Sequence, residues 1–261
     1  PKKTVIEAQK WAALSGQRPW NANEDVYSEV QSRVTRYVKQ GRLGIFGNAY
    51  WGSKGFKLTP EQNLIGLSHY LDALELQREL AKMMAIFGGK NPHPQSFVVG
   101  GVTCVQDIKN PARIAEFKQI LKRGQKFTKE AYLPDVYMAG TMYADEALEG
   151  IGGGIGNYMS YGGFNQDDLP FYKSSKLFPS GIVKNRDLTK VFDIDQTKIT
   201  EDVTHAWYEG TTNLHPYDGV TKPNYTGFGK KEDNIAYLDT KNKYSWIKSP
   251  LDDDERMEVG P

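Results

Sequence analysis

Cysteine is nearly absent from this 261-residue chain, in which Cys104 stands alone. An internal disulfide is thereby excluded, and so is a metal site built on CxxC pairs within the chain. Excess charge of one sign is missing too. Lys and Arg total 33 against 32 Asp and Glu, a formal net charge of +1. That balance offers no electrostatic case for nucleic acid or an anionic membrane surface. No apolar run reaches the roughly 18 residues that mark a spanning helix. Histidine is scarce: His69, His93, His205 and His215 are the full set, and no pair has HExxH spacing. The start, PKKTVIEAQKW, has neither an initiator Met nor the apolar centre of a secretory signal. Both ends are expected to be those of an internal piece.

Aromatic residues, by contrast, are plentiful. They make up 12% of the chain, with 15 Tyr and 5 Trp, beside 39% hydrophobic residues overall and a mean hydropathy of −0.59. This composition suits a packed core with extensive half-buried surface or a large interface. The length allows one large domain or two small ones.

Hydrophobic periodicity predicts a mainly helical first part. Val26, Val30, Val34 and Val38 recur every fourth residue, with Tyr27 and Tyr37 beside them, which predicts a helix ending at Gly41. A glycine-aromatic connector follows over 41–55. Thr59, Pro60 and Gln62 then form a capping-box signature. The helix they begin is predicted over 60–87, roughly 42 Å long, with Leu64, Leu67, Leu71, Leu74, Met83, Met84 and Phe87 on or near one face. Gly88 is expected to end it in a left-handed conformation. Asn110-Pro111 opens another helix, with Ile114, Phe117, Ile120 and Leu121 on its apolar face and Gly124 at its end. A third helical pattern spans about 128–142, weakened by Pro134.

The texture then changes. The glycine-rich stretch 150–163 cannot hold a helix, and 181–208 carries β-branched runs typical of short strands. The last 50 or so residues read as an ordered irregular segment. The expected fold class is therefore mainly α with small antiparallel β elements, an α+β domain. The chain is expected to be a single domain over 1–261, helical over about 20–145 and irregular and β-containing over about 146–261. The helix 60–87 would serve as the spine of a multi-helix bundle.

Several motifs invite chemistry, and each has a structural alternative. The glycines at 150–156 miss the dinucleotide spacing, because Ile155 or Asn157 stands where a third glycine is needed, so they are read as a turn. His69 lies inside the long helix and is read as a core or interface residue. His215 precedes Pro216 in a loop and is read as structural. His205 alternates with large aromatics, as in a half-buried strand. Cys104 has no basic neighbour in sequence and reads as a buried, inert thiol. The stretch GGKNPHPQSFVVGGV, 88–102, demands the most backbone control. Pro92 and Pro94 fix φ on both sides of His93, so its imidazole is aimed. Lys90 sits where a cation favours the carboxyl end of a helix. The alternative is a rigid helix-to-strand corner.

With its continuation, GGKNPHPQSFVVGGVTC closely resembles the G-G-K-x-P-H…V-G-G-V segment of nickel-iron hydrogenase large subunits. Two further blocks agree in order and spacing: HAWYEG (205–210) with HPYDGVTKP (215–223), and YSWIKSP (244–250) with MEVGP (257–261). The resemblance covers the chain from about residue 60 to the end. In that family, four cysteines in two CxxC pairs hold nickel and iron, one pair near each end of the subunit. This chain has neither pair, and Cys104 is not a candidate ligand. The resemblance thus implies a central portion of a large subunit, with no catalytic residue and no direct metal ligand of its own, not expected to be active alone.

For the complete subunit, the resemblance implies the reaction H2 ⇌ 2H+ + 2e− at a Ni-Fe centre with CO and CN ligands. It implies an iron–sulfur small subunit as partner, carrying Fe-S clusters, together with the remaining segments of the large subunit and H2. His93, with Lys90 and Gln95, is expected at the interface near the proximal cluster. Glu209 is expected to act through water near a magnesium or iron site, with Lys222 as charge compensation; the alternative for each is a surface ion pair. An uptake-type enzyme on the periplasmic side of a membrane is expected, attached through its partners, with the export signal on the small subunit. A non-catalytic, hydrogenase-like scaffold subunit of a larger redox complex is the alternative.

Overall fold

The computed structural model describes residues 1–42, 54–150, 152–170, 173–229, 231–232, 235–239 and 241–260. Most of the expected connector 41–55 lies outside the described residues. The chain forms two compact units, 1–149 and 150–261.

The first unit is helical: α1 (Lys2–Leu14), α2 (Glu24–Lys39), α3 (Pro60–Gly88), α4 (Val105–Lys109), α5 (Pro111–Phe127), α6 (Leu133–Met142) and α7 (Ala144–Leu148), with a short hairpin of β1 (Phe97–Val98) and β2 (Gly101–Val102) after α3. Local chemistry sets the helix starts. Asn23 accepts from the Val26 N–H at 2.9 Å, and Asn110 accepts from the Ala112 N–H. Thr59 and Gln62 form the full reciprocal capping box, with Pro60 in the first turn. Tertiary packing then selects the faces. Ala8, Trp11, Tyr27, Ile65 and Met138, from α1, α2, α3 and α6, make one core cluster. Trp20, Leu76, Phe127 and Ala131 make a second.

Two expectations change here. The buried face of α3 is Gln62, Ile65, Ser68, His69, Leu76 and Ile86, whereas Leu74 and Met84 stay exposed. Neighbouring helices on several sides cover a broader arc than a single leucine stripe, and they cover it partly through polar contacts such as Gln62 with Glu7 and His69 with Asp135. Gly124 does not end α5. It lies inside the helix, where an added Cβ would stand 3.1 Å from Leu80 Cδ2, so its bare backbone lets α5 close on α3.

Beyond Phe127 a π turn, Thr128–Tyr132, leads directly into α6. Pro134 explains the geometry. A proline inside a helix removes one N–H and crowds the carbonyl four residues earlier. That carbonyl, on Glu130, accepts instead from the Trp20 N–H at 3.1 Å. The wider π turn accommodates the ring without breaking the helix.

The second unit is built from short strands. β3 (Tyr158–Ser160) pairs antiparallel with β6 (Gly181–Val183) and parallel with β12 (Glu258–Val259). β4 (Gly163–Asn165) pairs with β5 (Lys176–Phe178), and β8 (Lys231–Glu232) with β9 (Ile235–Ala236). β7 (Ile199–Asp202) runs antiparallel to β10 (Ser249–Asp252), which turns back as β11 (Glu255–Arg256). Asp253 and Asp254, at φ 52° and 64°, make that turn; aspartate tolerates the left-handed region better than most residues. Met159, Ile182, Ile199 and Met257 form the core. Asp202, buried at the end of β7, accepts from the Thr204 N–H at 2.8 Å and from Arg256 at 2.6 Å. Burial pushes its pKa up, but the Thr204 hydrogen bonds and the Arg256 charge outweigh that and hold it below the usual carboxylate value. Among the described residues, no helix is long and apolar enough to cross a membrane.

Candidate functional site

Two surfaces carry the residues singled out by sequence, one in each unit. In the first unit, α3 ends one residue later than expected. Gly89, at φ 79°, takes the left-handed position and its N–H bonds the Ala85 carbonyl at 2.9 Å. Gly88 remains helical, and its role is space: an added Cβ would lie 3.0 Å from Pro94 Cβ. The Gln95 N–H then reaches back to the Gly88 carbonyl at 2.7 Å, closing the loop that contains the cis Asn91–Pro92 bond. Lys90, His93 and Gln95 all project from this closed loop into solvent on this chain.

Beside them stands the β1–β2 hairpin, register Phe97↔Val102 and Val98↔Gly101. Its apolar side chains are uncovered: Phe97 is 72% exposed and Val99, at the tip, fully so. Val102, Val105 and Ile108 extend the same exposed apolar stretch. Exposed apolar side chains gathered within one short stretch, with Lys90 and His93 exposed on the loop before it, have the composition of a contact surface.

In the second unit, 203–223 folds as an irregular double strand. The Glu209 N–H donates to the Lys222 carbonyl at 2.9 Å, and Tyr208 bridges Pro223. The side chains follow: Lys222 Nζ lies 2.8 Å from Glu209 Oε1, and both are substantially exposed. Next to this pair is a pocket lined by Glu201, Glu209, Thr211, Thr212, Gly219 and Lys248, among others. Lys248, nearly buried, bonds Glu201 Oε2 at 3.0 Å and lies over the Tyr208 ring. The pocket's carboxylates are thus already matched by ammonium groups.

The remaining histidines are held structurally. His205 Nδ1 lies 2.6 Å from the Asn242 carbonyl, with its ring stacked on Tyr244. His215 bonds the Gln196 carbonyl through Nε2 and accepts the Tyr217 N–H through Nδ1, which fixes its proton on Nε2. His69 is buried against Asp135. The glycines at 150–156 form a turn, as expected, and wrap two side chains. The Glu258 carboxylate accepts the Ile155 N–H at 2.7 Å, and Arg186 bonds the Gly153 carbonyl at 2.7 Å. This backbone concavity for an anion is already filled by the protein's own glutamate.

Sequence reasoning missed Asp135 and Lys243. Asp135 sits in a helical pattern with nothing to mark it as the partner of His69 across 66 residues. Lys243, in a lysine-rich loop, gathers backbone carbonyls that no motif announces.

The donor set does not fit a thiolate-held bimetallic centre. Cys104 is the single cysteine, buried and unpaired. Among the described residues, no cluster of three or more His, Cys, Asp or Glu could hold a metal ion.

Residues 1–261 match the family described as nickel-dependent hydrogenase. The chain is 42% identical over 268 residues to the quinone-reactive Ni/Fe-hydrogenase large chain of Wolinella succinogenes, covering 100% of this chain and 46% of that protein. It is 40% identical to the uptake hydrogenase large subunit of Bradyrhizobium diazoefficiens, covering 90% of this chain and 42% of the relative. Among solved structures, the Ni-Fe-Se hydrogenase from D. vulgaris Hildenborough aligns with a TM-score of 0.64 and 30% identity, over 80% of this chain and 39% of that one. The chain therefore spans less than half the length of the relatives it matches. With the family's profile matched from the first residue to the last, the chain belongs to the nickel-dependent hydrogenases.

Proposed function

We propose that this chain is part of the large subunit of a nickel–iron uptake hydrogenase, which in its complete form catalyses H2 ⇌ 2H+ + 2e−. The observation that carries the reading is family membership along all 261 residues, with uptake and quinone-reactive hydrogenase subunits as relatives. The Ni-Fe centre, with its CO and CN ligands, belongs to thiolates that this chain does not supply. The chain's contribution is scaffold: α3 and its neighbours as a rigid bundle, and two surfaces that face other components.

The first surface is the loop after α3 with its hairpin. It docks the iron–sulfur small subunit, so that His93 lies near the proximal Fe-S cluster with Lys90 and Gln95 beside it. Its uncovered valines and Phe97 support the assignment. The second is the Glu209–Lys222 pair. Because the neighbouring carboxylates are matched by Lys222 and Lys248, Glu209 suits contact through water with a magnesium or iron ion rather than direct ligation. The quinone reactivity named for the Wolinella relative supports a place at a membrane; the periplasmic side, reached through partner subunits, is part of the proposal.

The test is His93→Ala in the complete enzyme. Nickel content should stay at the wild-type level while H2-driven reduction of an electron acceptor slows several-fold. Proportional loss of nickel and activity would contradict a role for His93 in electron transfer.

A further inference from the structure

The loop 203–208 carries buried side chains on almost no regular structure. Val203, Ala206 and Trp207 are each under 10% exposed, yet the segment lies outside every strand. Its carbonyls converge on one side chain. Lys243 Nζ lies 2.6 Å from the Tyr208 carbonyl, 2.7 Å from that of Ala206 and 3.3 Å from that of Val203. An ammonium has three N–H donors and no acceptor, so these three carbonyls match its full capacity. Charge-assisted bonds of this length are stronger than neutral ones.

The same short segment laces the loop from its backbone. The Lys243 carbonyl accepts from Trp207 Nε1 at 2.9 Å. The Ser245 carbonyl accepts from the Trp207 N–H, and the Tyr244 N–H donates to the His205 carbonyl. Glu209 follows directly, its N–H fixed to Lys222. Without the ammonium, three carbonyl dipoles would point at one another.

We propose that Lys243 is a positioning residue: its ammonium occupies the centre of a carbonyl cradle of the kind that elsewhere binds a monovalent cation, and so sets the backbone that places His205, Trp207 and Glu209. The loop geometry stands apart from the hydrogenase reading; only its consequence for Glu209 rests on that reading.

Two experiments test it without H2 turnover, so their failure is distinct from failure of the hydrogenase assignment. In the wild-type chain, reductive methylation followed by mass spectrometry should modify Lys243 about tenfold or more slowly than the exposed Lys222, because its donors are engaged. Equal rates would overturn the proposal. In Lys243→Ala, amide exchange across 203–208 should rise about tenfold or more while residues 1–149 keep their protection. Ammonium chloride should restore that protection, and sodium or tetramethylammonium chloride at the same ionic strength should not. Unchanged exchange, or equal restoration by all three salts, would overturn it. Should Lys243→Ala fail to fold, Lys243→Met keeps the apolar stem and takes its place, and the wild-type labelling stands by itself.

Discussion

His69 Nδ1 lies 2.8 Å from Asp135 Oδ2, joining the middle of α3 to the first turn of α6 inside the helical unit. A carboxylate only accepts, so the proton sits on Nδ1. His69 Nε2, equally buried, has no hydrogen-bond partner among the described residues. The ring therefore depends on Asp135 for its polar satisfaction.

Asp135→Ala should destabilise the helical unit by about 1–3 kcal/mol, the cost of leaving a buried polar group unpartnered. Asp135→Asn keeps an acceptor and should lose less. Urea unfolding followed by far-UV circular dichroism of both variants checks the order. Equal stability of Asp135→Ala and wild type would contradict the dependence.

Tyr27 is fully buried and its hydroxyl has no hydrogen-bond partner among the described residues. Burial, then the nearby Asp135 and Asp72 charges, push its pKa up to about 12. A group whose folded pKa is raised stabilises the fold below its unfolded value and loses that contribution as pH climbs through the folded one. The window therefore opens near pH 10 and closes near 12, with a contribution on the order of 2–3 kcal/mol. Tyr27→Phe should leave stability at neutral pH unchanged or higher and should flatten the decline above about pH 10. Melting temperatures at neutral and alkaline pH compare the two proteins.

Asp202 has the opposite sign. Its folded pKa is depressed, so its stabilisation is present above the unfolded value and is lost as pH falls through the folded one. Below about pH 4 the wild type should lose stability faster than Asp202→Asn, in which nothing titrates at that position. Acid titration monitored by tryptophan fluorescence reads the difference, since Trp207 and Trp246 lie in the same unit.

Signals that act over a few residues were legible in the sequence. Thr59, Pro60 and Gln62 announce the start of α3, and Asn110-Pro111 that of α5, because caps are local hydrogen bonds. The stop after Phe87 was legible and assigned to Gly88, but Gly89 takes the left-handed place and Gly88 stays helical. Only the approach of Pro94 separates their roles. The end of α5 was misjudged for a similar reason: whether a glycine breaks a helix or lets a neighbour close in depends on Leu80, which lies in another element. The candidate site was readable only as a set of named residues, not as an arrangement. The motif blocks pointed to His93, Glu209 and Lys222, and the pairing of the last two follows from the bridge between Tyr208 and Pro223. Asp135 and Lys243 were hidden because their partners are distant side chains and backbone carbonyls.

The central claim is that the loop and hairpin after α3 meet an iron–sulfur subunit. A photo-crosslinking amino acid at Val99, the exposed hairpin tip, in the complete hydrogenase tests it most directly. The account predicts one dominant adduct, between the large subunit and the iron–sulfur subunit. Efficient labelling of solvent or of a second large subunit, in a complex that still oxidises H2, would contradict it.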